Sequence, residues 1–302
     1  MKVLVTGAAG FIGSYVVQEL LDHQYSVVAL DNLSNGTESK VSLNATFYEA
    51  DITSEEIEHI FQHEQPDFVI HLAAQSSVLE SMEKPIEDCQ ANALGTLNIL
   101  RFSNQFNVKK FILTSSAAVY GNPTSLPVKE DSKLAPLSFY ALSKISAENY
   151  VHLYEKMFGL KSCILRFSNV YGPNQESGVI ASILNRISKR ESPIINNGSQ
   201  TRDFIYVKDV AAACLTALVS HETGVFQISS GTERTINEVF KLISKFTNIE
   251  MEPLLKELNA AEIKRSVLSN EKAKKILHWE PHYSLEEGLK EVIQSYSMIK
   301  HL

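Results

Sequence analysis

The chain has 302 residues, with 28 Lys+Arg against 35 Asp+Glu for a formal charge of −7, and 44% of its residues are apolar. That composition excludes collagen-like, low-complexity and broadly disordered chains, and a net acidic surface is a poor grip for a nucleic-acid backbone. No apolar run approaches the roughly 18–20 residues of a membrane span, so no membrane association is expected.

In chain order, short β-rich runs occur at Lys2–Thr6, Ser26–Asp31, Ala45–Ala50, Asp67–Leu72, Lys110–Ser115 and Leu160–Phe167. Helical patterns at 11–23, 54–63, 88–106 and 138–158 lie between them. Continuous apolar runs such as Phe68-Val69-Ile70 suit strands buried on both faces. The alternation predicts an α/β fold: a Rossmann-type, doubly wound parallel sheet over residues 1–167. From 168 to 302 the pattern loosens into a smaller C-terminal substrate-binding lobe. Polar loops at 172–178 and 191–201 separate helices near 179–190, 207–220, 235–247 and 284–299, and part of 203–230 rejoins the first domain. The ligand is expected between the lobes, above the carboxyl ends of the strands. Cys89, Cys163 and Cys214 are far apart and form no CxxC pair. Neither a zinc ribbon nor a disulfide framework is expected, and free thiols suit a reducing cytoplasm.

The first strand runs into Gly7-Ala8-Ala9-Gly10-Phe11-Ile12-Gly13. In a strand–turn–helix setting, the first glycine permits the tight turn. The second lets backbone approach a pyrophosphate, and the third lets the helix pack on the strand. The helix amino terminus then offers free N–H groups and the positive end of its dipole. Asp31, 18 positions after Gly13, closes the second strand, where a carboxylate accepts both ribose hydroxyls and repels a 2′-phosphate. Asn32-Leu33-Ser34 brings no arginine to reverse that preference. NAD is therefore expected rather than NADP.

Tyr140 and Lys144 stand four apart on one helix face, and a cation beneath a phenol is expected to favour the phenolate. The spacing alone is weak, since Tyr296/Lys300 repeats it in the C-terminal tail. Ser115-Ser116 raises its value by ending a strand at the edge where the glycine turn opens. There a hydroxyl can hydrogen-bond a substrate oxygen while a tyrosine exchanges its proton.

Several segments in order, namely TGAAGFIGS, ALDNLSNG, HLAAQSSV, TSSAAVYG, SFYALSK, LRFSNVYGP, QTRDFIYVKDV and LHWEP, carry a resemblance. Over about residues 1–290 the chain resembles the extended short-chain dehydrogenase/reductase family, most closely its UDP-glucose 4-epimerase-like branch. The resemblance implies that tightly bound NAD, recycled in situ, oxidises C4 of a UDP-hexose and returns hydride to the opposite face. Tyr140 would be the base, Ser116 its relay, and Lys144 the residue that holds the ribose and poises Tyr140. Asp51 and Ile52 match adenine-side positions, and Ala73 and Ala74 match the segment passing the pyrophosphate. With Gly7, Gly10, Phe11, Ile12, Gly13, Asp31 and Asn32 they form the implied cofactor set.

Asn169 and Arg202 match positions that contact the nucleotide diphosphate, and Val179-Ile180 and Ile195 match the floor of the base pocket. A further family arginine is replaced by Asn259, with Arg265 six residues on as its substitute. Ser269 stands where an aspartate is frequent. Ser76 and Ser266 match sugar-wall positions, and their small size implies room for UDP-GlcNAc/UDP-GalNAc beside UDP-Glc/UDP-Gal. Dehydratases of the family carry Asp-Glu, and decarboxylases a Glu, where this chain has Ala117-Ala118, and alanine moves no proton. UDP-glucuronate epimerisation and 4-keto-sugar reduction remain alternatives, and a non-catalytic NAD sensor is a third class. A homodimer is implied through the helices near 88–106 and 138–158, with Tyr150, Val151 and Tyr154 either on its face or in the core.

Other features read as structural. His59 and His63 share a helix face but lack a third ligand, so no metal is expected. His71 ends a strand, the Lys272–Lys275 face is solvated, and Trp279 packs the C-terminal lobe onto the sheet.

Overall fold

A computed structural model describes residues 1–196, 198–256 and 263–296. Asn259, Lys300 and the end of the helix expected over 284–299 lie outside the described residues. The first half runs β1 (Lys2–Thr6), α1 (Phe11–Asp22), β2 (Ser26–Asp31), β3 (Thr46–Glu49), α2 (Ile57–Glu64), β4 (Phe68–His71), α3 (Val78–Glu83), α4 (Pro85–Cys89), α5 (Gly95–Gln105), β5 (Lys110–Ser116), α6 (Phe139–Phe158) and β6 (Ser162–Phe167). The second runs β7 (Asn169–Tyr171), α7 (Val179–Ser188), β8 (Ile194–Asn196), β9 (Thr201–Tyr206), α8 (Val207–Val219), β10 (Gly224–Ile228), β11 (Glu233–Thr235), α9 (Ile236–Thr247), β12 (Leu254–Lys256) and α10 (Leu285–Ser295).

Seven strands form one parallel sheet in the order β10–β6–β5–β4–β1–β2–β3. Order reverses between β1 and β4, which opens a crevice above their carboxyl ends. Val3, Val5, Ile70 and Ile112 face a core completed by Val16, Val17 and Leu20 of α1 and by Val210, Ala213 and Ala217 of α8. The other face holds Leu4, Val69 and Phe111 against Phe61 of α2, Ile99 and Phe102 of α5 and Val151 of α6. Each fully buried aliphatic or aromatic side chain contributes about 1.5–3 kcal/mol by leaving water.

Two sequence expectations change. The single helix over 88–106 is broken into α4, a π turn at Gln90–Leu94, and α5. The π turn inserts a residue into the helical spacing and rotates α5 relative to α4, which a 3.6-residue periodicity cannot reveal. No strand is expected over 224–228 from the sequence, yet β10 pairs with β6 along its length.

The C-terminal lobe packs around Tyr171, Ile183, Leu184, Phe204, Val239, Ile243 and Leu289. Its helices α9 and α10 start at capping boxes, Thr235/Glu238 and Ser284/Glu287, which satisfy amides the helices leave unpaired. Trp279 is buried against the first core and donates from Nε1 to Asp209 O (3.1 Å), as its expected packing role requires. Val151 is core. The exposed apolar residues of this region are instead Leu94, Phe139, Leu142, Leu153, Met157 and Phe158.

Candidate active site

The glycine turn joins β1 to α1, and its geometry explains its glycines. Gly7 has φ +70°, and a Cβ there would lie 2.6 Å from the Ala73 nitrogen. A Cβ on Gly13 would lie 1.9 Å from Gly7 O, so α1 could not sit this close to β1. Gly10, the residue before α1, has no side chain to cap the helix, and a Cβ there would approach Gly7 O alone, at 3.2 Å. The first-turn amides near Phe11 and Ile12 are thus presented with little in front of them.

Asp31, buried at the end of β2, organises this turn. Its Oδ2 accepts from Ala9 N (2.9 Å) and its Oδ1 from Leu33 N (2.8 Å), leaving lone pairs on both oxygens. Asn32 is exposed and donates to Asp51 Oδ2 (2.8 Å). Partial burial works against the Asp51 carboxylate, yet its bonds from Thr53 and Asn32 prevail and hold its pKa below the usual value. Ile52 is buried behind it, against Gly95. Ala73 and Ala74 follow β4, and Ala73 N donates to Thr6 Oγ1 (3.2 Å). The carboxyl-end groups therefore fit a dinucleotide: a cradle that a Cβ would fill, open amides, and a carboxylate one strand away.

Across the crevice, Ser116 ends β5 and its Oγ accepts from Ala118 N (3.1 Å). Tyr140 lies in the first turn of α6, which starts at Ser138, whose side chain accepts from Ala141 N (3.1 Å). The structure brings the three expected residues together. The Ser116 side chain acts on the Tyr140 phenol and favours its ionised form. Lys144 is buried, donates to Thr114 O (3.1 Å), and holds Nζ 5.9 Å from the Tyr140 ring centroid. Burial pulls Lys144 down to about 8, against the raising effects of Asp88 and Glu148.

One electrostatic expectation is corrected. Burial dominates at Tyr140 and raises its pKa; the Ser116 side chain opposes this and the Asp88 charge adds to it. Lys144 is not among the groups that shift the phenol.

Packing around this pair involves residues not singled out from the sequence. Glu148, one turn beyond Lys144, takes Arg166 in a bidentate pair (2.9 and 2.6 Å) and a bond from Ser115 Oγ (2.5 Å). Its place four residues after Lys144 is the one sequence signal that marks it. Burial, with Lys144 second, drives His71 down to about 3, so its ring is neutral. It bridges Thr6 Oγ1 (2.7 Å) and Thr96 Oγ1 (3.0 Å), a structural part as expected. His59 and His63 are exposed, and among the described residues no three His, Cys, Asp or Glu side chains gather as metal ligands.

The residues expected on the substrate side lie mostly in the second lobe, with Ser76 in the first. Asn169 opens β7 and is exposed, Val179 opens α7, and Ile195 is buried in β8. Arg202 is partly exposed on β9 and donates to Thr201 O (2.8 Å). Ser76 is exposed after β4, while Ser266 is buried. Arg265 is the exception. Its exposed guanidinium is filled by Glu233 in a bidentate pair (2.8 and 2.5 Å), which disfavours it as a ready phosphate ligand.

A family model described as the NAD dependent epimerase/dehydratase family matches residues 3–229. The chain belongs to that family. A putative UDP-glucose 4-epimerase of Methanocaldococcus jannaschii is 40% identical over 297 residues, covering 96% of this chain and 97% of the relative. Among solved structures, the UDP-glucose 4-epimerase of Thermotoga maritima with UDP-glucose is 40% identical with a TM-score of 0.95, covering 98% of each chain. The UDP-N-acetylglucosamine 4-epimerase of Methanobrevibacter ruminantium, in complex with UDP-N-acetylmuramic acid, is 33% identical with a TM-score of 0.94, covering 100% of this chain and 99% of that one.

Proposed function

We propose that this epimerase/dehydratase family member is a UDP-sugar 4-epimerase that keeps its NAD through turnover. One observation carries the reading. Tyr140, Ser116 and Lys144 converge, while the adjoining Ala117 and Ala118 offer no acid or base for elimination. The relatives named UDP-glucose 4-epimerase and UDP-N-acetylglucosamine 4-epimerase support it.

The residues at the crevice suit NAD: Gly7, Gly10 and Gly13 with the Phe11 and Ile12 amides for the pyrophosphate, Asp31 for the ribose, and Asp51 with Ile52 on the adenine side. When bound, NAD supplies a reversible acceptor for the C4 hydride and a positive charge that favours the Tyr140 phenolate. Tyr140 takes the 4-hydroxyl proton and later returns it, and Ser116 holds that oxygen through its own hydroxyl. Lys144 keeps the base in place from beneath. Arg202 and Asn169 meet the diphosphate, and the resulting 4-keto sugar turns about it to expose its other face. Ser76 and Ser266 leave room for an N-acetyl group, so UDP-GlcNAc joins UDP-Glc as substrate.

Leu94 of the π turn and the exposed apolar residues of α6 suit a homodimer, and the three free cysteines suit a reducing cytoplasm. A UDP-hexose panel incubated without added coenzyme, with C4 epimers resolved, tests the reading. Tyr140→Phe should lose about 100-fold or more of the activity. Near-full activity in that variant would sink Tyr140 as the base.

A further inference from the structure

Two connecting segments, one from each lobe, meet at the glycine turn. The first, residues 32–45, joins β2 to β3, and the second, residues 172–178, joins β7 to α7. The first is pinned twice, because Leu33 and Val41 both pack on the core that α1 and α8 complete. Between those pins Gly36 lies on the glycine turn, where a Cβ would come within 2.7 Å of Ala9 O. The second segment reaches the same turn at Phe11: a Cβ on Gly172 would lie 3.3 Å from Phe11 Cζ. One helical turn on, Tyr15 stands edge-on to Phe11, with ring centroids 6.1 Å apart, and its hydroxyl donates to Pro173 O (3.3 Å).

The two segments are also joined to each other. Lys40 Nζ donates to Glu176 Oε1 at 2.7 Å, across 136 residues of chain. The lysine side chain is 21% exposed and the glutamate side chain 74%, so the cation is the fixed half and the carboxylate the movable one. Gln175 Nε2 donates to Val170 O (3.0 Å) and ties the residue before Glu176 to its own lobe. Beyond it, a cavity of about 480 Å³ reaches Asn185 and Ser188 of α7, Ser295 of α10 and Tyr296. Glu176 is therefore held by Lys40 across the lobes and not by packing on its own lobe. The contacts close a ring of chain at the amino end of α1, from Ala9 to Gly36, from Lys40 to Glu176, and from Gly172 back to Phe11. The open amides of the first turn of α1 lie at that ring.

We propose that Lys40 and Glu176 form a clasp across the two lobes that slows the release of NAD from the glycine turn. The proposal rests on the reading that this turn holds NAD and that the protein keeps it through turnover. An exposed ion pair is modest in strength and is screened by salt, so the clasp acts on how often the ring opens.

The test measures the rate at which coenzyme-loaded protein releases NAD, with bound and free coenzyme separated by rapid gel filtration. Glu176→Gln should speed release by about 2–5-fold, the range an exposed pair supports, and Lys40→Glu should speed it further. Exchanging the charges, in Lys40→Glu with Glu176→Lys, should return the rate to within about twofold of the parent, which two independent structural losses would not do. In 1 M salt the ratio of Glu176→Gln to parent should fall towards one, since the Debye length there is about 3 Å. Equal release from the parent and Lys40→Glu, or a charge exchange as fast as the single reversal, overturns the clasp. A parent that neither carries NAD when purified nor takes it up on incubation overturns the underlying reading, and the proposal with it.

Discussion

Replacing Arg166 by Met isolates the energetics of the charge buried behind the active site. Arg166 and Glu148 have side chains only 5% and 3% exposed. Arg166 gives two hydrogen bonds to Glu148, one to Tyr120 OH (2.5 Å) and one to Glu130 O (3.0 Å). Met fills much of the volume but leaves Glu148 with Ser115 as its remaining described hydrogen-bond partner. Removing one member of a buried pair costs about 3–5 kcal/mol, because the orphaned charge keeps its desolvation penalty. With a urea dependence of about 2–3 kcal/mol per molar, the unfolding midpoint should fall by about 1–2 M. Adding Glu148→Leu removes the orphan, so the double variant should be about 2 kcal/mol more stable than the sum of the two single losses. Ser115 sits beside Arg166 in the β5–β6 register and precedes Ser116, so the loss should also reach kcat. A single variant within about 1 kcal/mol of the parent, or strictly additive losses, would refute the orphaned-charge argument.

Gly13→Ala should lower the NAD content of purified protein together with its stability, because the new Cβ meets Gly7 O at 1.9 Å and a backbone atom cannot yield; full retention by absorbance of released coenzyme counts against the turn. Ser266→Tyr should cut turnover of UDP-GlcNAc by about 10-fold or more and spare UDP-Glc, read from paired initial rates. Equal rates on UDP-GlcNAc would remove the argument from side-chain size. Activity should decline as pH rises through about 8, where buried Lys144 loses its charge. The sign is set by the lowered pKa of the lysine: the charged form is populated below that value and lost above it. A plateau through pH 10 would show that this charge is not required.

What the sequence made legible was local. The glycine turn could be read because its demands are largely local: Gly7 has a positive φ, and Gly10 and Gly13 approach Gly7 O, although Gly7 also abuts Ala73. Tyr140 and Lys144 could be read because four residues is one helical turn. Short β-rich runs marked six strands of the seven-stranded sheet. β10 escaped because Gln227 interrupts its short run, and distant groups satisfy that buried residue only in part: Nε2 donates to Tyr120 OH (2.7 Å) and its backbone N to Glu130 Oε1 (3.2 Å), while Oε1 has no hydrogen-bond partner among the described residues. α3 escaped for the opposite reason, with Val78, Leu79 and Met82 exposed, so its apolar residues mark no core face. The pairing of Arg265 with Glu233, across 32 residues, has no local signature at all.

The same distinction explains how the two lobes are joined. Asp203 is fully buried without a cation in hydrogen-bond contact, yet it accepts from Ser168 Oγ (3.2 Å), Ser230 N (2.9 Å), Ser230 Oγ (2.7 Å), Gly231 N (3.3 Å) and Leu268 N (3.2 Å). Burial raises its pKa, and these donors pull the other way. Its neighbour is Arg202 on β9, Ser230 follows the sheet's edge strand β10, and Leu268 lies two residues beyond Ser266. One carboxylate thereby ties β9, the edge of the parallel sheet and the 266–268 segment into a single hydrogen-bonded unit. A net charge of −7 gives no hint of this arrangement. A buried carboxylate here organises backbone amides, and those amides fix where the C-terminal lobe meets the parallel sheet.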